Sequence, residues 1–223
     1  AVEQRRIIKD MFARYLSNDV VENLMAEPDL VKLGGDKKTA TIFFADIRGY
    51  TSFSETKEPE YIVEVLNEYF TEAVEVIIEH KGYIDKFIGD AIMAAWGVPM
   101  ATVEEDAYEA VSCALEIQDK IKSKDRSFFK GAASKLKVGI GMHTGPLVAG
   151  NLGSSRRMDY SVIGDTVNVA ARLEGVAGPG EVVITDKTYD LLSESFKVKE
   201  MEPVKVKGKK APLRVFSVLD LIK

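Results

Sequence analysis

Only Gly89 and Asp90 separate two short runs of strand-forming residues, YIDKFI (Tyr83–Ile88) and AIMAAW (Ala91–Trp96). A two-residue link leaves no room for a crossover, so the runs must pair antiparallel as a hairpin. The segments around the hairpin constrain the rest. Thr39–Asp46 is an apolar, β-type run that ends on a carboxylate. Glu58–His80 carries Ile62, Val63, Leu66, Phe70, Val74, Ile77 and Ile78 at helical spacing, with acids in the first turn and Gly82 just past the end. That pattern predicts a long amphipathic helix with those seven residues on its inner face. A second helix is expected over about Val103–Ser123, and KLKVGIGMHTG (Lys135–Gly145) reads as a strand ending at a tight Thr-Gly turn. Strand, helix, strand, strand, helix, strand is the order of a ferredoxin-like βαββαβ core in an α+β fold. DYSVIGDTVNVAARLEG adds a strand ending at Gly164 and a helix running to Glu174, and EVVITDKTYDLL and PLRVFSVLDL supply further strand and helix.

Ahead of this core, apolar residues from Ile8 to Met25 recur at helical spacing until Pro28 stops the pattern, and LGGDKK (Leu33–Lys38) reads as a turn-rich hinge. Residues 1–37 are therefore expected to be an N-terminal helical linker and residues 38–223 one domain. The linker either packs on its own domain or pairs with a partner chain in signalling.

With a net charge of -5, the chain has no positive field to draw it generally to nucleic acid or anionic membrane, so an anionic ligand must be held by local groups. A single cysteine, Cys113, excludes an internal disulfide, and with only His80 and His143 beside it there is no ligand set for zinc. His143, Trp96 and Cys113 are read as structural. No apolar run approaches the roughly 20 residues that cross a bilayer, and no signal peptide opens the chain. The expected location is the cytoplasm, as a free protein or as the cytoplasmic part of a membrane-anchored one; a first residue of Ala marks the chain as an excerpt from something longer.

Asp46 ends the first strand and Asp90 sits at the hairpin tip. In a βαββαβ sheet that strand and that hairpin are neighbours, so the two carboxylates converge at one edge. Hard oxygen ligands without histidine or cysteine suit Mg²⁺ or Mn²⁺, which clamp polyphosphates. The residues alone leave a second reading open: Asp46 caps the turn at Gly49 and Asp90 belongs to an ordinary hairpin loop. No Walker loop is present, and GIGMHTG lacks the spacing of a dinucleotide fingerprint.

FFADIRGYTSFSE, DKFIGDAIMAAWG, GIGMHTGPLVAGNLGS and DYSVIGDTVNVAARLE resemble, in order and spacing, the successive motifs of class III nucleotidyl cyclase catalytic domains. The resemblance runs from about Thr39 to Val218. It implies two divalent cations, Mg²⁺ or Mn²⁺, held by Asp46 and Asp90 with help from the carbonyl of Ile47. It places the purine-reading pair on Lys86 and Ser161, a ribose-orienting asparagine on Asn168, a transition-state arginine on Arg172 and a phosphate-binding lysine on Lys207. Lys86 favours ATP, because an ammonium donates to adenine N1 whereas guanine N1 carries a hydrogen and wants an acceptor. Ser161 departs from the usual aspartate or threonine, and a hydroxyl discriminates less than a carboxylate. Read without the resemblance, Lys86 is a solvated strand lysine, Arg172 a surface partner of Asp165 or Glu174, and Lys207 part of a basic turn.

The resemblance further implies an adenylate cyclase acting at sites shared across a homodimer, with a sensor or membrane region upstream in the full-length protein. A guanylate cyclase and a non-catalytic dimeric nucleotide-binding module are the alternatives. Diguanylate cyclases share a similar topology, but GGDKK precedes the first strand here instead of sitting on the central hairpin, where this chain has IGDA.

Overall fold

Thr39 to Ala45 combine β-branched, aromatic and small residues, and Ala40–Ala45 are buried without interruption. Such a run belongs to a strand covered on both faces. In the computed structural model this strand is β1 (Gly34–Arg48), and it lies at the centre of an eight-stranded sheet. The structure describes residues 33–99, 101–123, 128–192 and 194–222, with positions 3, 6, 7, 21, 22, 25 and 26. Those seven positions are helical, while most of the helical segment expected between Ile8 and Met25 lies outside the described residues.

After β1 come α1 (Tyr50–Ser54), α2 (Pro59–Glu79), the hairpin β2 (Tyr83–Ile88) and β3 (Ala91–Trp96), and α3 (Val103–Lys122). The chain continues through β4 (Lys137–Ser154), β5 (Arg157–Ile163), α4 (Asp165–Val176), β6 (Val182–Thr185), α5 (Asp186–Tyr189), β7 (Phe196–Glu200) and β8 (Val215–Leu221). The sheet order is β2-β3-β1-β4-β6-β8-β7, with β5 paired to β4 off that path. Its first four strands have the ferredoxin-like arrangement read from the sequence, and the antiparallel β1–β3 pair brings the hairpin beside the first strand.

Alternation along β1 divides the core. Phe43, Ala45 and Ile47 pack in a cluster with α2 and α3, while Ala40, Ile42 and Phe44 pack in another that includes Ala170 of α4. The even-numbered Asp46 and Arg48 therefore share the α4 face. Trp96 anchors the first cluster: its ring lies 5.8 Å from that of Phe43, and its indole N–H donates to the His80 carbonyl at 2.7 Å. Cys113 is buried in the same cluster, and burial pushes its thiol pKa well up.

Four expectations need correction. Gly34–Lys38 is strand, because it pairs residue for residue with Leu147–Asn151 of β4. Likewise β4 does not end at Thr144–Gly145. It continues to Ser154, and Gly145 is small because Thr166 Oγ1 would meet any added Cβ at 2.7 Å. Pro146 is tolerated there because it falls between the reach of β6, which pairs with Ile140–Met142, and β5, which starts at Val148. The inner face of α2 is Val65, Tyr69, Ala73, Val76 and Ile77, while Val63 and Ile78 are more than half exposed. The apolar arc is wider than the face that packs, and Tyr69, stacked on Phe129 at 5.3 Å, sets its centre. Finally β7 comes from a stretch, FKVKE, whose charges hide its pairing with β8.

Gly141 of β4 fixes how closely α4 lies on the sheet, since an added Cβ would fall 2.6 Å from Glu174 Cα. The obstacle is helix backbone, which cannot rotate away. Gly141→Ala should cost about 1–3 kcal/mol or more, as overpacking does, and lower the Tm by several degrees. Gly175→Ala, with nothing within 4 Å of the new methyl, should leave the Tm unchanged or raise it slightly. Thermal melts of the two variants against the parent check this.

Candidate active site

The β2–β3 turn owes its tightness to Gly89, whose φ of +61° lies in the left-handed region. It delivers Asp90 to the end of β1, where Asp90 Oδ2 accepts a hydrogen bond from the Ile47 N–H at 3.1 Å. The Asp46 carboxyl is close enough to that of Asp90 to disfavour its charge. Burial first, and the Asp46 carboxyl second, push the Asp90 pKa up to about 7, against the opposing pull of main-chain N–H groups. Asp46 Oδ1 is buried with no hydrogen-bond partner.

Arg48 stands behind this pair. One of its terminal nitrogens lies 3.5 Å from Asp46 Oδ2 and the other 2.7 Å from Glu174 Oε1, while Nε donates to the Ala177 carbonyl at 2.9 Å. Burial and the nearby Asp46 raise the Glu174 pKa, and Arg48 opposes the rise. Asp46 and Glu174 thus share one guanidinium with Asp90 beside Asp46, and acids outnumber cations at the site.

A buried oxygen without a partner, two carboxyls pressed together, and no histidine or cysteine among them form a donor set that fits a hard divalent cation. Among the described residues no group of three or more His, Cys, Asp or Glu side chains is placed to hold a metal. A cation at Asp46 and Asp90 would complete its shell with main-chain, solvent or ligand oxygens.

Lys86 and Ser161 also come together, through a residue the sequence did not single out. The β2–β3 register shifts between Ile84 and Lys86, leaving Asp85 at the irregularity. Bulges of this kind re-aim a side chain. The Asp85 side chain is fully buried and accepts from the Ser161 hydroxyl, with Oγ 3.0 and 2.7 Å from its two oxygens, and from the Val162 N–H at 3.3 Å. Lys86 Nζ lies 3.4 Å from Asp85 Oδ1 and is half exposed. The Tyr83 hydroxyl fastens β2 to β5 by donating to the Tyr160 carbonyl at 2.6 Å.

Asn168 and Arg172, four apart on α4, share its exposed face. Among the described residues neither makes a hydrogen bond or ion pair. Arg172 does not pair with Asp165 or Glu174, because Lys209 takes Asp165 and Arg48 takes Glu174. The Lys209–Asp165 pair docks the loop carrying the exposed Lys207 against the first turn of α4. His143 stays structural: its Nδ1 lies 2.7 Å from Thr185 Oγ1, and burial lowers its pKa to about 4.

Residues 35–219 match the family described as the adenylate and guanylate cyclase catalytic domain. The chain belongs to that family. It is 36% identical over 218 residues to an adenylate cyclase of Anabaena cylindrica, covering 94% of this chain and 43% of the relative. Among solved structures, the adenylyl cyclase CyaB from P. aeruginosa superposes with a TM-score of 0.79 at 34% identity, covering 86% of this chain and 98% of the other. The guanylyl cyclase Cya2 gives 0.80 at 36% identity, covering 86% and 96%. This cyclase domain spans less than half the length of the curated relatives it matches. Among its described residues no helix is long and apolar enough to cross a membrane.

The raised Asp90 pKa has a sign that can be checked. A carboxyl whose folded pKa lies above its unfolded value stabilises the fold at low pH and loses that contribution as pH rises through about 7. With chelator present, Asp90→Asn should therefore melt above the parent at pH 8 and show no advantage at pH 4. Adding Mn²⁺ at pH 8 should raise the Tm of the parent and not that of the variant. Equal metal responses in the two proteins would remove Asp90 from the ligand set.

Proposed function

We propose that this cyclase domain is an adenylate cyclase, converting ATP to 3′,5′-cyclic AMP and pyrophosphate at sites shared between two copies of the chain. The observation that carries the reading is the buried polar cluster in which Asp85 joins Lys86 to Ser161. An ammonium and a hydroxyl side by side match the Watson–Crick edge of adenine: Lys86 donates to N1 and Ser161 accepts from the 6-amino group.

In this reading the ribose 3′ oxygen attacks the α-phosphorus in line, its bond to phosphorus forms as the bond to pyrophosphate breaks, and the 3′ proton passes to water. Asp46, Asp90 and the Ile47 carbonyl would hold two Mg²⁺ or Mn²⁺ ions, whose chemistry is to neutralise phosphate charge and lower the pKa of the 3′ hydroxyl. Asn168 orients the ribose, Arg172 meets the charge that grows on the α-phosphate, and Lys207 holds the outer phosphates. No protein nucleophile takes part.

The layout of α4 supports sharing between copies. Glu174 faces Asp46 and Arg48 in its own chain, and Arg172, two residues back, points roughly 200° away around the helix. A nucleotide that touches both the aspartates and Arg172 takes them from different chains. A twofold dimer with two equivalent sites follows. Residues 1–37 then serve as the linker to an upstream sensor or membrane region, with residues 38–223 as the catalytic domain in the cytoplasm.

A guanylate cyclase is the second reading, favoured by the hydroxyl at Ser161 and the similarity to Cya2 and opposed by Lys86. Incubating the purified chain with Mn²⁺ and either ATP or GTP, and identifying the product by mass, separates the two. The adenylate reading expects cyclic AMP in excess, and a non-catalytic module expects neither product. Mixing Asp46→Ala with Arg172→Ala, each inactive alone, should restore about a quarter of the parent's activity, because half the dimers are mixed and each mixed dimer keeps one intact site. No recovery from folded chains that exchange partners would end the shared-site reading.

A further inference from the structure

We propose that Asp85 is a specificity-determining positioning residue: it takes the only proton of the Ser161 hydroxyl and so presents that oxygen to the base as an acceptor. The inference rests on reading Lys86 and Ser161 as the base-contacting pair, and it concerns how an ambiguous hydroxyl becomes selective.

A serine hydroxyl has one hydrogen and two lone pairs, so left free it rotates to accept from the adenine 6-amino group or to donate to guanine O6. Ser161 is not left free. Its oxygen lies 3.0 and 2.7 Å from the two oxygens of Asp85, and an ionised carboxylate can only accept. Once the proton is directed there, only lone pairs remain for the nucleotide. Adenine meets an acceptor with a donor, whereas guanine meets it with a second lone pair. A buried mismatch of that kind is what makes sites built on hydrogen bonds selective.

The surroundings hold Asp85 to this task. Its side chain is fully buried at the β2 irregularity, which turns it toward β5, and the Val162 N–H fixes Oδ2 at 3.3 Å. Ser161 is itself buried, with 4% of its surface exposed, so water does not compete freely for the hydroxyl. Lys86, 3.4 Å from Oδ1, supplies the opposite charge that a buried carboxylate needs while leaving its half-exposed ammonium toward solvent. One carboxylate therefore orients both partners of the base: it draws the proton of one and the charge of the other.

The experiment compares kcat/KM for ATP and for GTP in the parent, Asp85→Asn, Ser161→Ala and the double variant. Asparagine keeps the shape but replaces one of the two acceptors by an N–H₂ that donates to Ser161, so the hydroxyl proton is no longer committed to position 85. The expected result is a roughly tenfold fall in the ATP-to-GTP ratio for Asp85→Asn, the size of one mispaired hydrogen bond. The same substitution should change the ratio less than twofold when Ser161 is already alanine.

Equal loss on both nucleotides, with the ratio unchanged and the Tm retained, would make Asp85 a structural strut and overturn the proposal. So would an undiminished Asp85→Asn effect in the Ser161→Ala background, which would route the selectivity through Lys86. Should Asp85→Asn fail to fold, Ser161→Thr and Ser161→Ala carry the test. Threonine must keep the parent's ratio and alanine must lower it, and an unchanged ratio in alanine overturns the proposal. A parent that prefers GTP would sink the adenylate reading by itself, while the coupling between positions 85 and 161 is still judged from the same four proteins.

Discussion

Asp46 and Asp90 repel each other, and the fold holds them together all the same. Each is fixed by main chain it cannot leave. Asp46 is inside β1, opposite Gly139 of β4 and one residue past the last pair with β3, and Asp90 occupies a tight turn formed at Gly89. The Ile47 N–H then locks Asp90 Oδ2 against the strand that carries Asp46. A fold that tolerates this arrangement must draw the compensating energy from elsewhere. The clusters around Phe43, Trp96 and Tyr69 and around Ile42 and Phe44 supply it, on opposite faces of the same strand.

Acids occur in two distinct electrostatic settings within one sheet. At the end of β1 the acids outnumber the cations, three carboxyls to Arg48, and the Asp90 pKa rises. At the β2 irregularity Asp85 has a lysine, a hydroxyl and a main-chain N–H around it, so its valences are filled from within the chain. The first setting leaves a buried acid oxygen without a partner, and the second does not. That contrast underlies the different roles proposed for the two groups of carboxylates, which residue type alone does not distinguish.

Periodicity made the hairpin, both long helices and the order of the four core strands legible, since each rests on short-range pattern and strong turn or cap signals. Pairings between distant segments were not legible. Gly34 and Gly35 look like a hinge until they are seen opposite Asn151 and Gly150, where an added Cβ on Gly35 would come within 2.8 Å of the Ala149 carbonyl oxygen. Those glycines serve close strand contact, not a turn. The proximity of Asp46 and Asp90 was legible because a strand end and a hairpin tip can meet in a βαββαβ sheet, whereas their expected metal role, left open by the residues alone, came with the family resemblance. Asp85, Arg48 and Glu174 were not, because Ser161 lies 76 residues from Asp85, and Glu174 and Ala177 lie 126 and 129 residues from Arg48, with nothing local to mark those contacts. An irregularity that re-aims one side chain leaves no trace in an apolar–polar pattern.

The surface next to the Asp85, Lys86 and Ser161 cluster fits the proposed dimer independently of α4. Phe87 and Ile88, immediately after Lys86, and Ile163, two residues after Ser161, are each about half exposed. Phe87 is partly covered by Phe70 at 4.4 Å between ring centroids, and its outer side is not. Isolated apolar residues on a surface require no explanation, but Ile88 shares the face of Lys86 on β2 and Ile163 that of Ser161 on β5, so the polar pair has an apolar rim that is dry only when something else covers it. In the proposed dimer that cover is the second copy. Its aspartates would then approach the base-reading pair across an apolar seam that excludes water and strengthens every charge–charge contact within.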